Sequence, residues 1–68
     1  MENILSQRVY ELRKENNLSQ SELAKAIGAS QKAIDFWEKG TNEPKAGYII
    51  RLAKFFKVSA DYLLGLEN

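Results

Sequence analysis

The side chains in this sequence best suited to contacting another molecule lie between Gln31 and Lys39. If that segment is a helix with Ile34, Trp37 and Glu38 turned inward, then Lys32, Phe36 and Lys39 point outward, Asp35 and Ala33 occupy the two flanks, and Gln31 sits at the N-terminal tip. An amide, two ammonium groups and an aromatic ring are groups for binding, not for breaking bonds. Lys32 is informative because a cation in the first turn opposes the helix dipole, at a cost of about 0.3–1 kcal/mol. Only Asp35, at i+3, offsets it locally, so a phosphate or guanine partner would explain the lysine better than a solvated surface does. Phe36 is a large aromatic between two lysines and requires a cover, whether nucleic acid, a protein or the chain itself. No histidine is present, which removes the commonest general base and metal ligand together. Cysteine is also absent, and no phosphate-binding loop, nucleophile elbow or dinucleotide glycine pattern occurs. The sequence predicts no enzyme, no metal and no cofactor.

These groups need a scaffold, and the preceding residues supply it. Ser19 followed by Glu22 forms a capping box, so a helix starts there; Leu23, Ala24 and Ile27 make its inner stripe, with Glu22 and Lys25 outside. Gly28 ends it in a left-handed C-cap, and Ser30 caps the next helix. The expected bounds are about 19–27 for helix 2 and about 30–39 for helix 3. Small Ala24 lets the two helices cross closely, Gly28 makes the turn and Ile34 fills the angle between them.

The rest of the chain reads as three more helices. The first runs from about residue 3 to Asn16, with Ile4 or Leu5, Val9 and Leu12 inward and Arg8, Glu11, Lys14 and Glu15 on its solvent side. Arg13 adjoins the stripe and points toward the neighbouring helices. After the loop Thr41 to Pro44, with Pro44 suited to a helix start, Ile49, Leu52, Ala53 and Phe56 line a fourth helix weakened by Gly47 near its start. Tyr48 and Phe55 share one edge of that stripe. Ser59 caps a fifth, short helix anchored by Tyr62, Leu63 and Leu64 and ended by Gly65.

With 68 residues the chain makes one domain, 1–68, near the lower limit for a self-sufficient core. A hydrophobic content of 44% is ordinary for a globular protein, so helix packing must supply the stability. The formal net charge is only +1. Any nucleic-acid reading therefore rests on where charge is placed, not on its total. No signal peptide or membrane-length apolar run is present, which predicts a cytoplasmic protein.

The spacing of Ala24, Gly28 and Ile34, with Gln20 opening helix 2 and Trp37-Glu38-Lys39-Gly40 closing helix 3, resembles the helix-turn-helix of the phage repressor and Cro family, also called the XRE family. The likeness extends over essentially the whole chain, through Leu18-Ser19-Gln20, Pro44, Leu52-Ala53, Phe56-Lys57-Val58-Ser59 and Asp61-Tyr62-Leu63-Leu64-Gly65. It implies an all-α, compact five-helix bundle of the lambda-repressor type. Departures are Ala29 and Ala46, where larger aliphatics are usual, and Phe36, where a polar or basic residue is usual.

The resemblance also implies roles. The N-terminal residues of the recognition helix meet base edges, and the matching positions are Gln31, Lys32, Ala33 and Phe36. Gln suits adenine, Lys suits guanine, and Ala or Phe suits a thymine methyl. Phosphate contacts fall to the start of helix 2, where the Gln20 amide is expected to point outward, and to Lys39, Thr41, Asn42 and Lys45. Arg13 is expected to pair with Glu38 as a structural ion pair. The implied partner is double-stranded operator DNA, bound by a homodimer on a palindromic site, weak enough to assemble only on DNA. Phe55, Tyr62, Leu64 and Leu66 are the candidate dimer surface. The expected function is a sequence-specific transcriptional regulator, most simply a repressor; the alternative is a protein-interaction module of the same fold, such as an antitoxin component.

Overall fold

The structure, a computed structural model, describes residues 3–67. Residues 1, 2 and 68 of the expected domain lie outside the described residues. Five helices follow one another: α1 (Ile4–Glu15), α2 (Gln20–Ile27), α3 (Gln31–Lys39), α4 (Ala46–Phe56) and α5 (Ala60–Leu64).

Local chemistry sets most of the boundaries. Ser19 accepts from the Glu22 backbone N–H at 3.0 Å, and the Glu22 carboxylate accepts from the Ser19 N–H at 2.8 Å, closing the capping box of α2. Ser30 and Ser59 accept in the same way from the N–H groups of Ala33 and Tyr62. α1 starts with a second reciprocal box, Asn3 with Ser6, which its residue types disguise. α4 has no side-chain cap: Lys45 stands at that position. Pro44 is buried ahead of it instead of occupying the first helical turn. Gly28 ends α2 at φ +73°, in the left-handed region that residues with a Cβ enter only with strain.

Each helix contributes one side chain with no exposure at all to the centre of the core: Val9, Leu23, Ile34, Leu52 and Leu63. Burying each stabilises the fold by roughly 1.5–3 kcal/mol. Ala24, 3% exposed, lies in the same cluster between α2 and its neighbours. α3 packs on both α1 and α2, while α5 closes the bundle against α1 and α4.

The structure decides one expectation that was left open and corrects others. Leu5 is the buried member of the first pair and Ile4 is exposed, its side chain lying where a Cβ on Gly65 would come within 2.7 Å of it. Leu63 alone buries fully in α5, because Leu64, about 100° further round the helix, is turned off the core and is 43% exposed. Arg8 does not project into solvent: its guanidinium lies 3.9 Å from the Tyr62 ring centre and donates to the Tyr62 and Glu67 carbonyls at 2.6 and 3.0 Å. Tyr48 and Phe55 also part company, Tyr48 packing on Trp37 and Phe55 on Phe56.

Candidate nucleic-acid interface

The position of α3 is determined by its buried stripe, Ile34, Trp37 and Glu38, in which a carboxylate sits among apolar neighbours. Glu38 is 6% exposed and Arg13 8%, so the charge is tolerable only because the two meet directly. Arg13 Nε donates to Glu38 Oε2 at 2.6 Å and Nη2 to Oε1 at 2.9 Å, a bidentate fork. The remaining Arg13 nitrogen donates to the Leu18 carbonyl at 2.9 Å, tying in the turn between α1 and α2. The Glu38 hydrogen bond raises the Arg13 pKa against the opposing effect of burial. Desolvation offsets much of the Coulomb attraction in such a pair, so its main effect is to orient α3 on α1.

Around this pair a polar relay reaches the surface, and here the expected orientation of Gln20 is overturned. Its amide does not point outward. Gln20 Nε2 donates to Glu38 Oε1 at 3.1 Å and to Asp35 Oδ1 at 3.2 Å, because two carboxylates on α3 attract both of its N–H groups. Gln20 Oε1 in turn accepts from Gln31 Nε2 at 2.5 Å. The second Asp35 oxygen meets Lys39 Nζ at 2.9 Å. Lys39 first, and Gln20 second, hold the Asp35 carboxyl below its ordinary pKa.

The other residues singled out on α3 are also placed. Gln31 and Lys32 are exposed. Lys32 Nζ lies 5.8 Å from the centre of the Phe36 ring, within cation–π range, and Phe36 itself is half-buried, so the chain supplies part of its cover. Ala33 is half-buried against the core and lines an open cleft of about 390 Å³ with Trp37, Asn42, Glu43, Lys45 and Tyr48. The loop after α3 is tied to it through the Thr41 N–H, which donates to the Phe36 carbonyl at 3.0 Å. Thr41, Asn42 and Lys45 are all exposed beside that helix end.

The structure thus brings Gln20 onto Gln31, and Ala33 together with Asn42 and Lys45. The four apolar candidates are less unified. Phe55, 41% exposed, lines a different cleft of about 570 Å³ with Ala26, Ile27, Gly28, Arg51 and Lys54. Leu64 and Leu66 are 43% and 73% exposed at the end of α5, and Tyr62 is half-buried under Arg8. On sequence alone Asp35 is set against Lys32 at i+3, whereas it pairs with Lys39, which its i, i+4 spacing could have indicated. Its hold on Gln20 carries no local signal. Arg51, which donates to the Ile27 carbonyl at the end of α2 at 3.3 Å, was equally hidden. Among the described residues no three potential ligands cluster as a metal site, and no helix is long and apolar enough to cross a membrane.

Comparison with known proteins follows the same architecture. The helix-turn-helix family matches residues 9–63. An uncharacterised HTH-type transcriptional regulator of Bacillus subtilis, YobD, is 35% identical over 62 residues, covering 91% of this chain and 55% of the relative. The repressor protein C2 of Salmonella phage P22 is 34% identical over 61 residues, covering 90% of this chain and 28% of the repressor. The chain therefore spans about half, or less, of the length of these curated relatives. The crystal structure of the P22 c2 repressor in complex with a synthetic operator superposes with a TM-score of 0.85 at 33% identity, over 90% of this chain and 92% of that one. With its five helices, its α2–turn–α3 unit and these relatives, the chain belongs to the helix-turn-helix family of phage repressors, the XRE family.

Proposed function

We propose that this chain is a sequence-specific DNA-binding transcriptional regulator, most simply a repressor, in which residues 1–68 form one DNA-binding domain and α3 is the recognition helix. The observation that carries the proposal is the face of α3. Gln31 and Lys32 stand exposed at its N-terminus, braced against α2 through the Gln31 to Gln20 hydrogen bond, in a chain similar to a repressor solved on operator DNA. Gln31 would address adenine, Lys32 guanine, and Ala33 or Phe36 a thymine methyl. Lys39, Thr41, Asn42 and Lys45 would hold phosphates on the far side of α3. At the start of α2 the contribution of Gln20 to the clamp would come from its backbone N–H, one of the orphan donors of a first helical turn, since its amide is engaged with α3.

Size favours a dimer. The longest axis of the molecule is 27 Å, whereas successive major grooves on one side of a duplex recur at about 34 Å. Two copies on a palindrome answer that spacing, with Tyr62, Leu64, Leu66 and Phe55 offering a small apolar surface suited to a weak dimer that forms on DNA. The proposed setting is the cytoplasm, and catalysis is no part of the proposal.

Selection of bound sequences from random duplex DNA tests the reading, followed by affinity measurements across salt. The expected result is an enriched, two-fold-related site whose affinity falls steeply as salt rises. No enriched sequence and no salt dependence would contradict it, and would favour a protein-interaction module instead.

A further inference from the structure

From the relay beneath α3 we infer that Asp35 is a positioning residue for base discrimination: by fixing the Gln20 amide it dictates which hydrogen-bonding groups Gln31 offers to DNA. The inference rests on the proposed DNA-binding function. Both Nε2 hydrogens of Gln20 are directed at carboxylates, one at Asp35 Oδ1 and one at Glu38 Oε1. Flipping that amide would place its carbonyl oxygen against two anions. The flipped state is therefore closed, and Gln20 Oε1 must face Gln31, where only a donor can satisfy it. Gln31 Nε2 does so.

One N–H of Gln31 is thereby held inward, leaving it one N–H and its carbonyl oxygen. A donor beside an acceptor complements the N7 and N6 amino group of adenine, whereas guanine presents two acceptors in the major groove and requires two donors. Asp35 thus contributes to rejecting guanine without touching DNA. Glu38 is also bound to Arg13 by two hydrogen bonds and cannot be replaced without orphaning a buried charge, so Asp35 is the one of the two anions whose replacement loosens the hold on Gln20 while the helix packing stays intact.

The test compares wild type, Gln31→Ala, Asp35→Asn and Lys39→Gln in selection from random duplexes and in affinities on single-pair variants of the selected site. Gln31→Ala identifies the base pair that Gln31 reads. At that pair Asp35→Asn, whose amide can accept or donate and so removes one of the two anions that oppose the flip, should reduce the preference for adenine over guanine by up to about tenfold, part of the roughly ten- to hundredfold that a good bidentate contact contributes. Lys39→Gln breaks the ion pair but leaves the carboxylates on Gln20, so it should lower affinity for every sequence and keep this preference. In the absence of DNA, the Gln31 side-chain amide resonances should move in Asp35→Asn and not in Lys39→Gln. If Asp35→Asn alters affinity equally for all sequences, as loss of a negative charge near phosphates would, the inference is wrong while the functional proposal stands. If the wild-type protein shows no base preference at all, the functional proposal fails and this inference fails with it.

Discussion

The two halves of this small bundle are held together by different physics. From α1 to α3 the chain is joined by directional bonds: Arg13 to Glu38, Arg13 to the Leu18 carbonyl, Gln20 to both α3 carboxylates and Gln31 to Gln20. Across α4 and α5 no side-chain network forms among the described residues: single arginines reach backbone carbonyls, Arg51 that of Ile27 and Arg8 those of Tyr62 and Glu67, and the remaining hold is burial of Leu52, Ala53 and Leu63. There Ile50, Phe55, Leu64 and Leu66 remain exposed, α4 lacks a side-chain cap, and Lys57 ends α4 in a left-handed conformation costly for a lysine. Burial is non-directional and tolerates small displacements, whereas a hydrogen-bonded network permits one arrangement. The network lies beneath the face assigned to base reading, where orientation matters. The apolar half meets a looser demand, a stable platform.

The largest effect that could break this comparison comes from the buried ion pair. Arg13→Ala leaves Glu38 charged and buried, and should destabilise the fold by about 3–5 kcal/mol. The double replacement Arg13→Met with Glu38→Leu removes both charges and should restore stability to near the wild-type value or above it. Denaturant unfolding measures both. If the directional half serves orientation, the double variant should be stable yet poorer at discriminating sequences, since Gln20 loses one of its two carboxylate partners. A double variant as unstable as Arg13→Ala would make the pair chiefly a source of stability.

A smaller effect sharpens the contrast from the other side. Gly47 has no left-handed backbone and a Cβ there would meet nothing within 4 Å. Gly47→Ala should raise stability by about 0.5 kcal/mol, the low end for a helical glycine because the site lies in the first turn. Base preference should not change. A shift in preference would mean that the α4 platform also sets orientation.

The smallest effect is acid sensitivity. The Glu22 carboxyl is lowered from its ordinary value of 4.5, first by the Ser19 backbone N–H and then by the Ser19 hydroxyl, and Asp35 is lowered from 3.8. Each carboxyl therefore contributes stability above its ordinary pKa that is lost as pH falls through the lowered value. Ser19→Ala should move the Glu22 titration upward toward 4.5 and leave that of Asp35 in place, as carbon-detected NMR titration would report. Coupled movement of both would indicate that the cap and the relay form one network.

The residues that act locally were legible in the sequence. Ser19 with Glu22, Gly28, Ser30 and the Ile34–Trp37–Glu38 stripe delimit α2 and α3 because caps and periodicity operate within one or two turns. The Arg13 to Glu38 contact spans 25 positions and was expected only through family resemblance. Where the partner lay far away and no pattern named it, the sequence was silent. Arg8 looked like a solvent residue because Tyr62 is 54 positions away. Gln20 was expected to face outward because neither Asp35 nor Glu38 could be placed against it before the crossing of α2 and α3 was known. Asn3 and Ser6 form a capping box that escapes the Ser/Thr-x-x-Glu/Gln pattern, since Asn stands at the cap and a serine hydroxyl replaces the usual Glu or Gln three residues on.

The central claim is that the N-terminal face of α3 reads sequence while the residues around it only position the protein. A thermodynamic cycle tests it most directly: affinities of wild type and Gln31→Ala, measured at fixed salt on the selected duplex and on duplexes changed at one base pair at a time. The account predicts a coupling of about 1–3 kcal/mol confined to one base pair, with Lys45→Ala in the parallel cycle weakening every duplex alike and lowering the salt slope by about one unit. Equal losses for Gln31→Ala on every duplex would contradict it.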